Sequence, residues 1–314
     1  MINLAYGWKD VEILNDKTGR PYVKTNINVK VDLSISHIKD YAVATAVAVI
    51  EWGGKMEYFD SHAHYDSYRF DEERDDIINK VYNEGVTKIV SAGYSLEGTK
   101  INLELSKKYP FIYTTAGISP NDLGENWEQD IEEIDKIIME NLSSGKILAV
   151  GEIGFDYHYD TDKKIQYEAF SKQIDIANKY ELPIVIHTRD AVMDTITMLK
   201  EKTVKNKGIF HCCPLNRELV KEALKLGYYI SMAGPVTFKN SKNADEIIQM
   251  VPTDRMLIET DSPYLAPEPV RGTTNNSINL KYIVKKIASV KEMSEEEIAR
   301  LTYENAERVF QIAK

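Results

Sequence analysis

From residue 57 onward, short runs rich in Val, Ile, Tyr and Phe alternate with longer stretches of helical periodicity. That alternation limits what the chain can fold into. The runs lie near 57–61, 88–92, 111–117, 147–152, 184–187, 208–212, 228–232 and 256–261. Between them, stretches such as 70–84, 131–142, 166–180 and 219–226 repeat apolar residues every three to four positions, the signature of an amphipathic helix. Eight strands each followed by a helix argue for an α/β protein built as a closed (β/α)8 TIM barrel rather than an open sheet. Such a barrel carries its active site on the rim made by the C-terminal ends of its strands.

Ligand-type residues fall where that rim is expected. His62-Ala63-His64 closes the first run, and imidazoles at i and i+2 project from one face of a strand, a chelating arrangement. Glu152 ends the fourth run, His187 the fifth, His211 the sixth and Asp261 the eighth. Four of the six histidines therefore share one local context. Any one of them alone is better read as a core histidine satisfied by its neighbours; their joint placement points to a metal centre. Glu152, opposite His62 on the barrel, could bridge two cations. Imidazole with carboxylate suits Zn²⁺, Mn²⁺, Fe²⁺ or Co²⁺, whereas a carboxylate-rich set with several waters suits Mg²⁺. Two cations sharing a carboxylate, roughly 3.5–4 Å apart, lower the pKa of water and stabilise charge on an attacked group, so hydrolysis is the expected reaction class.

Other residues carry weaker signals. Arg189 and Arg271 could clamp a phosphate through paired hydrogen bonds, with a surface or loop-anchoring salt bridge as an equal reading. His158 reads as a solvated loop residue near the entrance, and His37 has no assigned role. The acidic runs 128–133 and 295–297 read as solvated helix starts that complement the helix dipole.

Bulk properties bound the rest. A chain of 314 residues with 43% hydrophobic content has room for one large domain, 56–314, and a small appendage, 1–55. In the appendage the odd positions from 23 to 35 read Val, Thr, Ile, Val, Val, Leu and Ile, a period-two alternation fitting a half-buried antiparallel strand, after a turn at 15–21 and before a further strand at 41–52. Met56 could be read as the natural start, but that regular alternation counts against it. No apolar run approaches the roughly 20 residues that span a bilayer, and the N-terminus lacks a secretory pattern, so the expectation is a cytoplasmic protein without a membrane role. Adjacent Cys212 and Cys213 are poorly placed for a loop-closing disulfide and read as reduced strand thiols. A net charge of −10 opposes nonspecific nucleic-acid binding over the whole surface while allowing a local site.

Longer motifs then carry a family resemblance. Phe59-Asp60-Ser61-His62-Ala63-His64, Gly151-Glu152-Ile153-Gly154-Phe155-Asp156-Tyr157, Ile186-His187-Thr188-Arg189, 234–239 and 259–267 resemble, in order, the signature segments of the TatD family of metal-dependent hydrolases. The resemblance spans 57–314 and ends in Asn305-Ala306-Glu307-Arg308-Val309-Phe310. It implies an amidohydrolase-type barrel, two divalent cations (Mg²⁺, Mn²⁺ or Zn²⁺) and deoxyribonuclease activity, often at a DNA 3′ end. It also implies that His62, His64 and Asp261 hold one metal, His187 and His211 the second, with Glu152 between them. Asp261 would take the proton from attacking water, and Arg271 lies in the stretch expected near the substrate phosphate.

Three positions depart from the family pattern: Ser119 where histidine is usual, Cys213-Pro214-Leu215-Asn216 after Cys212, and Asn275-Asn276-Ser277 where Asn-Glu-Pro is usual. None removes a metal ligand, so they bear on substrate choice. The expected substrate is a DNA end or single-stranded DNA, with no obligate protein partner. The rival is a small-molecule amidase, lactonase or phosphoester hydrolase on the same metal centre. A noncatalytic binding module is a third reading, opposed by the complete ligand set.

Overall fold

Each of the eight runs forms a parallel strand in the computed structural model, which describes residues 11–25, 30–37, 39, 41–49 and 56–312. The chain divides into two compact units, Met1–Lys55 and Met56–Lys314. In the first, β1 (Val11–Asn15) and β2 (Pro21–Thr25) pair antiparallel, as do β3 (Lys30–His37) and β4 (Ala42–Val49). The β1–β2 turn is fixed by Asp16, whose Oδ1 accepts from the Thr18 and Arg20 amides at 2.8 and 2.9 Å. The alternation from Val23 to Ile35 is thus carried by two strands rather than one; residues 26–29 lie outside the described residues. His37 ends β3.

The second unit is the barrel. Its strands are β5 (Tyr58–Ala63), β6 (Val86–Ser91), β7 (Ile112–Ala116), β8 (Ile147–Asp156), β9 (Ile184–Arg189), β10 (Gly208–Phe210), β11 (Tyr229–Met232) and β12 (Met256–Ile258). They pair in sequence order from β5 to β12. Helices follow them: α1 (Arg74–Asn83), α2 (Leu96–Lys108), α3 (Trp127–Asn141), α4 (Lys163–Tyr180), α5 (Val192–Glu201), α6 (Arg217–Lys225), α7 (Ala244–Met250), α8 (Leu280–Lys291) and α9 (Glu295–Val309). Their starts follow local chemistry. Asp162 accepts from the Lys164 amide at the head of α4, and Ser294 accepts from Glu297 at the head of α9, where three glutamates complement the dipole. Left-handed Glu181 and Glu292 end α4 and α8. Among the described residues no helix is long and apolar enough to cross a membrane.

Two apolar layers hold the barrel together. One joins the outer faces of the strands to the helices, through residues such as Ile89, Ile186 and Ile230 against Ile138, Phe170 and Val220. Strand residues that alternate with these face inward. Phe59, Leu148, Val185, Ile209, Tyr229 and Leu257 form the inner cluster, closed by Ala306 and Val309 of α9 and by the following Phe310.

At the β12–β5 seam, buried polar side chains close the ring. Ser61 Oγ donates to the Ile258 carbonyl at 2.9 Å. Asp60 accepts from the Thr260 amide at 3.0 Å and from its hydroxyl at 2.5 Å. Burial pushes the Asp60 carboxyl up to about 7, against the hydrogen bonds from Ser277 and Thr260.

Candidate metal centre

Two strand irregularities aim the ligands. In β5, Asp60 pairs with Ile89 and Ala63 with Ser91, so this strand fits one extra residue at Ser61-His62. In β8, Val150 pairs with Ile184 and Ile153 with Ile186, so Gly151-Glu152 oppose Val185 alone. An extra residue bends its strand and re-aims side chains. Gly151 makes the second bulge possible, because a Cβ there would lie 2.6 Å from Val185 Cβ. Glu152 therefore sits in mid-strand, and β8 continues to Asp156, four residues past the end expected from the apolar run. His64 and His211 each follow their strand by one residue, and Asp261 follows β12 by three. Asp261 is held at φ 55°, a left-handed conformation that costs an L-residue about 1–2 kcal/mol.

All six side chains converge. Glu152 turns Oε1 toward His187 Nδ1 (3.0 Å) and His211 Nε2 (3.3 Å), and Oε2 toward His62 Nε2 (3.4 Å) and His64 Nε2 (3.8 Å). Asp261 Oδ1 lies 3.6 Å from His62 Nε2 and 3.3 Å from His64 Nε2. Three sets, His62–His64–Glu152, His62–His211–Asp261 and Glu152–His187–His211, each bring their ligand atoms within 4.8 Å of one another.

Charge and burial are balanced within the cluster. Burial alone would raise the Glu152 carboxyl, but the charge of His211 and hydrogen bonds from His187, His211 and His62 hold it well below the usual range. Asp261 is likewise lowered despite burial, chiefly by the hydrogen bond from His64. Burial disfavours the His64 imidazolium, yet Asp261 outweighs it and lifts the pKa to about 9. Burial prevails at His62, which is lowered. The nitrogens of His62 and His64 stand 3.1 Å apart, as do those of His187 and His211. Nitrogens that close either share a proton, one ring donating to the other, or face a common cation. A divalent cation takes imidazoles as neutral ligands and carboxylates as anionic ones, and both kinds converge here, so the donor set fits metal.

A further layer of carboxylates, not singled out from the sequence, orients the imidazoles. Asp156 Oδ2 lies 3.0 Å from His187 Nε2, which leaves Nδ1 for the cluster. Glu259 Oε1 stands 3.6 Å from His211 Nδ1 and accepts from the Cys212 amide at 2.6 Å. Carboxylates behind metal-binding histidines fix the tautomer and ring orientation. Both lie inside motifs already quoted, and only the fold shows which imidazole each one meets.

The centre opens into a cleft of about 850 Å³. Arg189 lines it, with Ser119, Tyr94, Tyr159 and Tyr264. Arg271 is not among the lining residues; it is exposed, with its guanidinium 4.0 Å over the Phe238 ring. His158 lies 3.4 Å from Asp190 and is about half exposed. The departures from the family pattern have structural partners. Asn216 caps α6 by accepting from the Leu219 amide, Asn275 donates to the Thr260 and Tyr264 carbonyls, and the Ser277 hydroxyl pairs with that of Tyr65.

Known proteins share this arrangement of chain. Over 256 residues the chain is 41% identical to "Uncharacterized metal-dependent hydrolase YabD" of Bacillus subtilis, covering 81% of this chain and 99% of that protein. It is 34% identical to the metal-dependent hydrolase YcfH of Escherichia coli K12 over 262 residues, 82% of this chain and 97% of the other. The crystal structure of YJJV, a TatD homolog from E. coli K12, superposes with a TM-score of 0.78 at 23% identity, covering 83% of this chain and all of that one. A phosphotriesterase homology protein from E. coli shares the fold at a TM-score of 0.63 and 15% identity, over 82% of this chain and 100% of that one. A family model described as TatD related DNase matches residues 59–311, and the chain belongs to this TatD family of metal-dependent hydrolases.

Proposed function

We propose that the chain is a two-metal phosphodiesterase acting on DNA, trimming single strands or ends from the 3′ side, with His62, His64, Glu152, His187, His211 and Asp261 as its metal ligands. The reading rests on one observation: the two oxygens of Glu152 face two separate pairs of imidazole nitrogens. A pair of divalent cations, Mg²⁺, Mn²⁺ or Zn²⁺, would acidify water and neutralise charge on a phosphoryl oxygen there. Asp261, kept anionic by His64, accepts the proton of the attacking water. Glu152 spans the two halves of the site and fixes their separation. Arg189 in the cleft and Arg271 beyond it attract the phosphate backbone. Single strands suit this cleft, because the scissile phosphate has to reach a recessed cluster.

In this reading residues 56–314 carry the hydrolase and 1–55 form an accessory unit. Two free thiols, Cys212 and Cys213, favour a reducing, cytoplasmic setting. The test uses the full chain stripped with chelator and titrated with Mg²⁺, Mn²⁺ or Zn²⁺ against end-labelled single-stranded DNA and a panel of amides, lactones and small phosphoesters. Cation-dependent shortening of the DNA from its 3′ end supports the proposal. Turnover confined to the small-molecule panel would replace it with the small-molecule reading.

A further inference from the structure

We infer that Tyr264 with Arg69, and Tyr159 with Arg189, form two base-stacking subsites on opposite walls of the cleft, holding the unpaired bases on either side of the scissile phosphate. This inference rests on the nuclease reading above. Tyr264 and Tyr159 both line the cleft that contains the metal ligands, yet 42% and 55% of their surfaces remain exposed. The Tyr264 ring lies 6.2 Å from the His64 ring, so a base stacked on it would sit beside the cluster. Each tyrosine has an arginine against its face: Arg69 is 5.1 Å from the Tyr264 ring centre and Arg189 is 5.7 Å from that of Tyr159.

Among the described residues neither guanidinium has a carboxylate within 4.0 Å, although the chain carries 49 acidic residues against 39 basic ones. Two unpaired arginines at the mouth of an acidic protein mark a local attraction for anions. An exposed cation–π pair adds little to stability, whereas an aromatic face with a neighbouring cation matches a nucleotide, base on ring and phosphate on guanidinium.

The topology makes the arrangement two-sided. Arg69 follows β5 and Tyr264 follows β12, neighbours across the seam; Tyr159 follows β8 and Arg189 ends β9, neighbours in the sheet. In a ring of eight strands these two borders face each other. A strand crossing the mouth from one pair to the other passes over Glu152 and its imidazoles. No base edge is read by such faces, so the subsites select unpaired bases without sequence preference.

The experiment compares kcat/KM for a single-stranded oligonucleotide with that for methyl p-nitrophenyl phosphate, a diester lacking bases, using the most active cation. Tyr159→Ala and Tyr264→Ala are each expected to lower the oligonucleotide-to-diester ratio by roughly 5- to 150-fold. Tyr159→Phe and Tyr264→Phe keep the ring and should restore it. A purely structural role would lower both substrates together and leave the ratio alone, which would overturn the inference. Loss confined to one alanine variant would overturn the two-sided arrangement. Wild-type turnover of the diester without cleavage of the oligonucleotide would sink the nuclease reading and this inference together. Oligonucleotide cleavage with unchanged ratios in both alanine variants would sink this inference alone.

Discussion

At the C-terminal ends of the barrel strands five ionisable side chains meet around Glu152, whereas the inner floor is filled by Phe59, Leu148, Tyr229 and Leu257 against Val309 and Phe310. The same strands supply both ends. The floor has register shifts of its own, at Val86–Lys88 of β6 and at Ile147–Ala149 of β8, but it buries carbon, which stabilises by about 25 cal/mol per Å² of apolar surface. The rim breaks the alternation with an extra residue in β5 and in β8, holds Asp261 and Cys212 at positive φ, and buries charge. Strain and buried charge oppose folding, so the rim is organised for chemistry and depends on the floor for its stability. The two ends should therefore respond to mutation in opposite currencies.

Asp261→Asn gives the sharpest break. On the proposed reading it removes the proton acceptor and a cation ligand while preserving shape, and turnover should fall by at least about 10²- to 10⁴-fold with the melting temperature little changed. Full activity in a purified, folded variant would remove Asp261 from the role assigned to it. Phe59→Ala is the converse. The ring is 1% exposed and packs against Tyr303 and Phe310, with ring centres 5.7 and 6.1 Å away. Its loss should destabilise the barrel by about 3–5 kcal/mol in denaturant titration, while the folded fraction retains its turnover. A specific activity that falls with stability would show that floor and rim are coupled.

Asp156→Asn tests how far the rim extends outward. Its carboxyl is held at about 2, burial being outweighed by hydrogen bonds from His187 and Asn121. The asparagine keeps the shape but loses the charge behind His187, and cation affinity should fall by about 10- to 100-fold in calorimetric titration. An unchanged affinity would confine the centre to the six converging side chains.

How much of this was legible in the sequence differs between the same two ends. His62, His64, Glu152, His187, His211 and Asp261 each close an apolar run, and one rim collects such positions, so the cluster could be read before any coordinates. Asp156 and Glu259 could not be chosen, because the nitrogen that each one meets belongs to a different strand. The bulges were invisible for a related reason: an extra residue is defined only against a partner's register, and the expected end of β8 at Glu152 fell short of Asp156. Helix α4 shows its apolar period plainly. Helix α2 hides its own, since its buried face includes Thr99, Asn102 and Ser106. Arg69 acquires meaning only from the ring it faces, and Arg189, which the sequence offers as a phosphate clamp, gains its aromatic partner only in the fold.

The smallest expected effect separates ion pairs of the two ends. Lys88 Nζ meets Glu307 Oε1 at 2.5 Å, joining β6 to α9, and both side chains are less than one-fifth exposed. Burial disfavours the Lys88 ammonium, but the hydrogen bond it donates to Glu307 outweighs it and raises the pKa above 10.5. A group raised on folding contributes stability that is complete below its unfolded pKa and disappears as pH climbs through the folded value. Lys88→Met should therefore lose no more than about 1 kcal/mol at neutral pH, and the gap from wild type should close only in strongly alkaline solution. Turnover at neutral pH should not change. If instead Lys88→Met altered turnover at constant stability, charge on α9 would be acting across the barrel, and the division between a floor for folding and a rim for chemistry would fail.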